Sequence, residues 1–143
     1  MDFFSALEIL SSGLGAERVR MNVTASNLAN AQTTRTAEGG PYKRRDPVFT
    51  TTELASTPAF SRELDGALRG VAVTDLITDN GPPRVVHDPS HPDADSQGNV
   101  AMPNVNMVEE MVNMITASRA YEAGVTAMRA VADMAQQTLS LGK

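Results

Sequence analysis

The sequence predicts a mainly α fold with a small β element: long N- and C-terminal helices pairing as a coiled coil, with a central segment of short strands and loops. Two observations carry this prediction. Both ends of the chain hold apolar residues at helical spacing, and most of the proline and glycine lies between them. Helices that pack along each other's length need such stripes. The reading divides the chain into an N-terminal helix over 1–32, a central loop and antiparallel β segment over 33–104, and a C-terminal helix over 105–143.

The first stripe is Phe3, Leu7, Leu10, Leu14, Met21 and Leu28, stepping by threes and fours with gaps at Glu17 and Thr24. Asp2 is placed to cap its start, where a carboxylate accepts from free backbone N–H groups and favours the positive end of the dipole. Gly13 and Gly15 each cost about 1 kcal/mol relative to alanine in a helix interior. They are either tolerated or mark the close approach of a neighbouring backbone. The helix is expected to end near Asn27-Leu28-Ala29-Asn30, because asparagine competes for backbone hydrogen bonds and tolerates left-handed conformations. Glu38-Gly39-Gly40-Pro41 then reads as a turn.

Between 42 and 104, short strand-like runs alternate with breakers. Pro47-Val48-Phe49-Thr50-Thr51-Thr52 is one run. In a second, Val71, Val73, Asp75 and Ile77 share one face, and Ala72, Thr74 and Leu76 share the other. Asn80-Gly81-Pro82-Pro83 is expected to turn the chain into Arg84-Val85-Val86-His87, closing a small antiparallel hairpin. Residues 53–70 carry little signal and read as a loop. Asp88 to Pro103, rich in Pro, Asp, Ser, Gln and Gly, also reads as loop.

The second stripe is Met107, Met111, Met114, Ser118, Tyr121, Val125, Met128, Ala132, Ala135 and Leu139, interrupted only by Ser118. Asn106 followed three positions later by Glu109 is a capping-box-like start, just after Pro103. Gly142 sits where a C-cap glycine belongs. A helix from there to Leu141 spans roughly 50 Å, far longer than the usual globular helix. Apolar on one side, it requires a partner along its length. Six of the eight methionines lie between Met102 and Met134. They serve as ordinary helix core, or as a contact surface that repacks against unlike neighbours.

Composition narrows the function. The chain of 143 residues has one ordinary domain's length, but it has no tryptophan and only 4% aromatics, so burial against neighbours is the expected source of stability. A net charge of −5 argues against a nucleic-acid partner, which needs a basic face. Lys43-Arg44-Arg45, the one basic run, reads as a solvated loop. Cysteine is absent, so disulfides and thiolate chemistry are excluded. The start lacks the basic n-region and continuous apolar stretch of a secretory signal, and no segment approaches the length of a membrane span. Work outside the cytoplasm would require export without a cleaved signal.

No chemistry-bearing constellation emerges. His87 and His91 with Asp88, Asp93 and Asp95 have ligand chemistry, but Pro89 and Pro92 stiffen the loop and no supporting framework is evident. Asp93-Ala94-Asp95-Ser96-Gln97-Gly98 resembles the opening of a calcium loop. The twelfth position, which needs a bidentate glutamate, is Asn104. There is no nucleophile elbow and no phosphate loop. Glu109 and Glu110 read as helix-start carboxylates. The expectation is a non-enzyme with no cofactor, no metal and no small-molecule substrate.

Several motifs then converge. Ala25-Ser26-Asn27-Leu28-Ala29-Asn30-Ala31 resembles the N-terminal signature of the bacterial flagellar rod and hook proteins. Asp88-Pro89-x-His91-Pro92-x-Ala94-Asp95, Gly98-x-Val100, Met102-Pro103-Asn104-Val105 and Glu109-Glu110-Met111-Val112-Asn113-Met114 are similar to the family's proximal-rod members. So are Ala117-Ser118-Arg119-Ala120-Tyr121-Glu122-Ala123 and the short ending Thr138-Leu139-Ser140-Leu141-Gly142. The motif residues of note are Asn27, Leu28, Ala29, Asn30, Pro103 and Asn104. Asn99 departs from the pattern, for the family usually has an aromatic there.

This resemblance implies a structural subunit of the flagellar basal-body rod, the drive shaft that transmits motor torque to hook and filament. It implies passage through the flagellar type III export apparatus without signal cleavage, and assembly in the periplasm. The terminal helices would form an inner coiled-coil layer and the central segment an outer one. Partners implied are other copies of the chain, the rod proteins FlgB, FlgF and FlgG, and the adaptor FliE. The alternatives are another rod or hook subunit, or a cytoplasmic helical adaptor or export chaperone.

Overall fold

The computed structural model describes residues 3–53 and 68–141. The expected caps at Asp2 and Gly142, and most of the low-signal stretch at 53–70, lie outside the described residues. Among the described residues, two long helices flank four strands: α1 (Phe3–Ala29), β1 (Arg45–Glu53), β2 (Arg69–Thr78), β3 (Arg84–His87), β4 (Asn99–Met102) and α2 (Met107–Leu141). The fold is mainly helical with small antiparallel strand pairs. No described helix is long and apolar enough to cross a membrane.

α1 runs through Gly13 and Gly15 without a break, and a Cβ at either would meet nothing within 4 Å. Among the described residues, neither glycine is a point where a side chain would clash. The helix ends where the asparagines begin. Asn30 Nδ2 donates to the Ser26 carbonyl at 2.9 Å, and its Oδ1 accepts from the Thr33 hydroxyl at 3.1 Å. The carbonyls of Leu28 and Asn30, which the helix end leaves open, accept from Ala31 N at 3.3 Å and Thr33 N at 3.0 Å. At the start of α2, Asn106 Oδ1 accepts from Val108 N at 3.1 Å and lies 3.5 Å from Glu109 N, the expected N-cap.

The helices lie antiparallel. Leu14 meets Gly124, and thirteen residues later Asn27 meets Glu110, fourteen residues earlier in α2. The seam is narrow and made of small residues. Ala16 on α1 and Ala117 on α2 are buried, as is Ala31 just beyond α1. Around them Leu7, Leu10, Leu14, Met21, Leu28, Met114, Tyr121, Val125 and Met128 are half-buried.

The expected hairpin between the 71–77 and 84–87 runs does not form. β2 pairs instead with β1, from Arg45↔Thr78 to Glu53↔Arg69, and β3 pairs with β4. Pro82 and Pro83 remove two successive backbone donors from the proposed turn, whereas β1 offers β2 a ladder nine residues long. The stretch expected to be loop from Asp88 to Pro103 therefore contains a strand, β4. Its pairing is set by Gly98, which has φ +77°. A Cβ there would also come within 2.9 Å of Pro89 Cγ.

The β1–β2 ribbon lies along α1. Near its far end, Ser12 Oγ accepts from Val71 N at 3.1 Å and donates to the Ile9 carbonyl at 2.7 Å. Gly70 permits this approach, since a Cβ there would stand 3.0 Å from Ser12 Oγ. Midway, the Arg20 guanidinium sits 5.8 Å from the Phe49 ring centroid. The register shift between Val48 and Phe49 leaves Thr74 as an extra residue on β2. This bulge ends the two-face alternation predicted for the strand. Gly70 is buried and Val71, Ala72 and Val73 are half-buried, but Thr74 onward is exposed.

Candidate assembly surface and its polar joint

The largest fully buried side chains are Glu110, Val100, Asn27 and Pro103. Asn27 and Glu110 meet where α1 ends, β1 begins and α2 starts, while Val100 lies in β4 and Pro103 just after it. Two of them are polar, and their bonding explains why.

The Asn27 amide uses all of its hydrogen-bonding capacity. Oδ1 accepts from Arg45 N at 3.0 Å and from the Tyr42 hydroxyl at 2.9 Å. Nδ2 donates to the Arg45 carbonyl at 2.8 Å and to Glu110 Oε2 at 3.0 Å. Asn27 thus pairs with the backbone of Arg45 as a neighbouring strand would, extending the sheet onto the helix. Asn104 acts on the next residue back, its Oδ1 accepting from Arg44 N at 3.1 Å. Two motif asparagines therefore clamp consecutive residues at the start of β1.

Glu110 is 1% exposed and receives Arg44 Nε at 2.7 Å on its other oxygen. Arg44 also contacts Asp46. Burial works against the Arg44 charge, but hydrogen bonds to Glu110 and Asp46, with their negative charge, outweigh it and raise the guanidinium pKa. A buried pair of this kind adds little net stability, yet removing one partner costs about 3–5 kcal/mol because the other charge is stranded. Arg44, within the run expected to be a solvated loop, is therefore a joint residue. Glu110, expected to be a helix-start carboxylate, is another.

The loop beneath the joint is held by its own carboxylates. Asp95 Oδ1 accepts from Asn99 N and Gln97 N, both at 2.8 Å, and these bonds lower its pKa. Asp88 Oδ1 accepts from the Ser90 hydroxyl at 2.6 Å and from Ser90 N at 3.1 Å, and its pKa is lowered likewise. Asn99 meets His87 Nδ1 through Oδ1 at 3.2 Å. His91 Nδ1 accepts from Asp93 N at 3.1 Å. Among the described residues no three of these groups converge on one point. Thr34 donates to Asp93 at 2.8 Å, tying the 31–41 loop to the 88–104 loop.

Of the stripe residues expected to pack, Leu14 meets Gly124, and Tyr121 lies beside Ser11, Leu14, Gly15 and Arg18. Phe3 is half-buried, edge-on to the exposed ring of Phe4. Met107, Met111 and Leu139 are not covered by α1 and remain exposed. Met107 and Met111 sit off the line of Glu110, Ala117 and Gly124, which sets the side of α2 that turns inward, whereas Leu139 lies past the level of Phe3, where described α1 begins. Outward from that line, Val108, Met111, Val112 and Ile115 form an uncovered apolar face at i, i+3, i+4 and i+7, each between 46% and 69% exposed. Val108, Val112 and Ile115 were not among the expected packing residues, although their spacing is itself a helical stripe. Asn27 and Asn104 enter the joint, Asn30 closes α1, Pro103 is buried beneath it, Leu28 is half-buried and Ala29 is exposed.

Comparison with known proteins follows the same elements. The family described as "Flagella basal body rod protein" matches residues 7–35. "Flagellar basal body rod FlgEFG protein C-terminal" matches residues 96–141. The chain is 40% identical over 149 residues to the flagellar basal-body rod protein FlgC of Borreliella burgdorferi, covering 99% of this chain and 98% of that one. It is 39% identical over 143 residues to FlgC of Escherichia coli O6:H1, and 37% identical over 150 residues to FlgC of Bacillus subtilis, covering each pair of chains in full.

Proposed function

Because this chain belongs to the FlgC family of flagellar basal-body rod proteins, and so is a structural subunit of that rod, we propose how its parts serve the assembly. The family is structural, and we read the chain as a non-enzyme. Segments 1–32 and 105–143 supply the inner, coiled-coil layer, and 33–104 supplies the outer layer. Phe3, Leu7, Leu10, Leu14, Met21, Leu28, Met114, Tyr121, Val125 and Met128 pack the two helices of one subunit. Met107, Met111 and Leu139 pack against neighbours. Torque passes through many such contacts rather than through one site.

The observation that supports this reading is the uncovered face of Val108, Met111, Val112 and Ile115 on α2. An apolar helix face of this length stays in water only at a cost of about 25 cal/mol per Å², and an adjoining subunit removes it. We place the subunit in the proximal rod, beside FlgB, FlgF, FlgG and the adaptor FliE, with further copies of itself. It reaches the periplasm through the flagellar type III export apparatus, keeping its N-terminus.

Purification of detergent-resistant basal bodies tests the reading. The chain is expected in them, beginning at Met1. Its confinement to the cytoplasm would instead make the apolar faces those of an adaptor or export chaperone. Leu14→Asp and Val125→Asp should abolish incorporation while leaving expression intact, since a charge at a desolvated packing position is costly. Normal assembly of both would refute the assigned seam.

A further inference from the structure

We propose that the Asn27–Glu110–Arg44 cluster makes helix pairing and ribbon docking a single cooperative event. Neither the β1–β2 ribbon nor the start of α2 settles on α1 without the other.

The argument rests on what each member lacks when one element is absent. Glu110 comes from α2, Arg44 from the residue before β1, and Asn27 from the end of α1, 83 residues from Glu110 in the chain. If α2 pairs with α1 before the ribbon arrives, Glu110 is buried with Asn27 as a partner but without Arg44. If the ribbon docks first, Asn27 pairs with Arg45, and the Arg44 guanidinium keeps Asp46 but loses its buried carboxylate. Only the complete state gives every member its partner, and there Glu110 is buried, so losing Arg44 while α1 still covers the carboxylate costs more than the bond gains when made. Among the described residues the fully buried apolar side chains of the helix seam are alanines, with the larger stripe residues half-buried around them, and the Arg44–Glu110 pair is the tie between the start of the ribbon and α2.

The ribbon's other tie has a different character. Ser12 joins Val71 to α1 through a half-buried hydroxyl without touching α2, so it couples two elements only. It provides an internal control. In consequence, a subunit would display its ribbon in one pose, and only once its helices have paired.

Hydrogen exchange of the full-length purified chain, followed by mass spectrometry across low denaturant concentrations, tests this. In the unaltered chain the end of α1, the start of β1 and the start of α2 should converge on one opening reaction with a common denaturant slope. Glu110→Ala should raise exchange in all three by a common factor of roughly tenfold or more. Ser12→Ala should raise it around Val71 alone. Faster exchange in α2 only, with β1 keeping its original protection, would overturn the proposal. If Glu110→Ala does not fold, Glu110→Gln applies the same criterion with a smaller common factor. Three distinct slopes in the unaltered chain would overturn it without any substitution.

Discussion

Leu14 of α1 occupies the space that a side chain on Gly124 of α2 would fill: its Cδ2 lies 2.8 Å from where that Cβ would stand. The close-approach glycine is thus on the second helix, and among the described residues nothing presses on the two glycines of the first. This contact holds the middle of the helix pair, and the joint at Asn27 and Glu110 holds one end.

Gly124→Val should therefore destabilise the free chain. Overpacking costs about 1–3 kcal/mol, and a β-branched residue recovers only part of the glycine helix penalty. Gly124→Ala should be nearly neutral, because Leu14 ends in a flexible isobutyl group and alanine improves helix propensity by about 1 kcal/mol. Thermal melts followed by circular dichroism separate the two. Equal loss in both would mean that Leu14 cannot move.

Val112→Asp and Ile115→Asp change exposed positions, 56% and 54% open in the isolated chain. Each should leave the melting transition of the free protein within about 0.5 kcal/mol of the original, yet prevent incorporation into the basal body and abolish swimming. Motile cells carrying either variant would show that this face stays uncovered in the rod.

The 88–104 loop should respond to acid. The Asp95 pKa in the fold is lowered below 3.8, chiefly by the Asn99 and Gln97 amides. A lowered folded pKa contributes stability that is present above the unfolded value and lost as pH falls through the folded one. The amide proton shifts of Gln97 and Asn99 should thus stay constant from neutral pH to about pH 5 and move together only below the ordinary carboxylate range. Asp95→Asn should abolish that low-pH transition. A transition above the carboxylate range would show that these amides do not report Asp95.

Replacing His87 and His91 together by alanine should leave rod assembly unchanged and the melting transition within about 1 kcal/mol. Their ring contacts are exposed and join only neighbouring loop groups. Elemental analysis of the purified chain before and after the change is the check. Stoichiometric zinc or iron that disappears in the variant would assign the loop a metal.

What the sequence by itself determined was local. Periodicity placed both helices, Asn30 marked the end of one and Asn106 the start of the other, because caps and stripes act within a turn or two of backbone. The sparse core was also legible in the shortage of aromatics. Tertiary structure alone decided which strands pair, since Val71–Ile77 has edges compatible with either flanking run and only the longer ladder with β1 settles the choice. It alone turned the line of Glu110, Ala117 and Gly124 inward, leaving Met107 and Met111 outside. It also gave Asn27, Arg44 and Glu110 their shared role. Nothing in the local pattern relates residues 83 positions apart; the need to pair a buried carboxylate does.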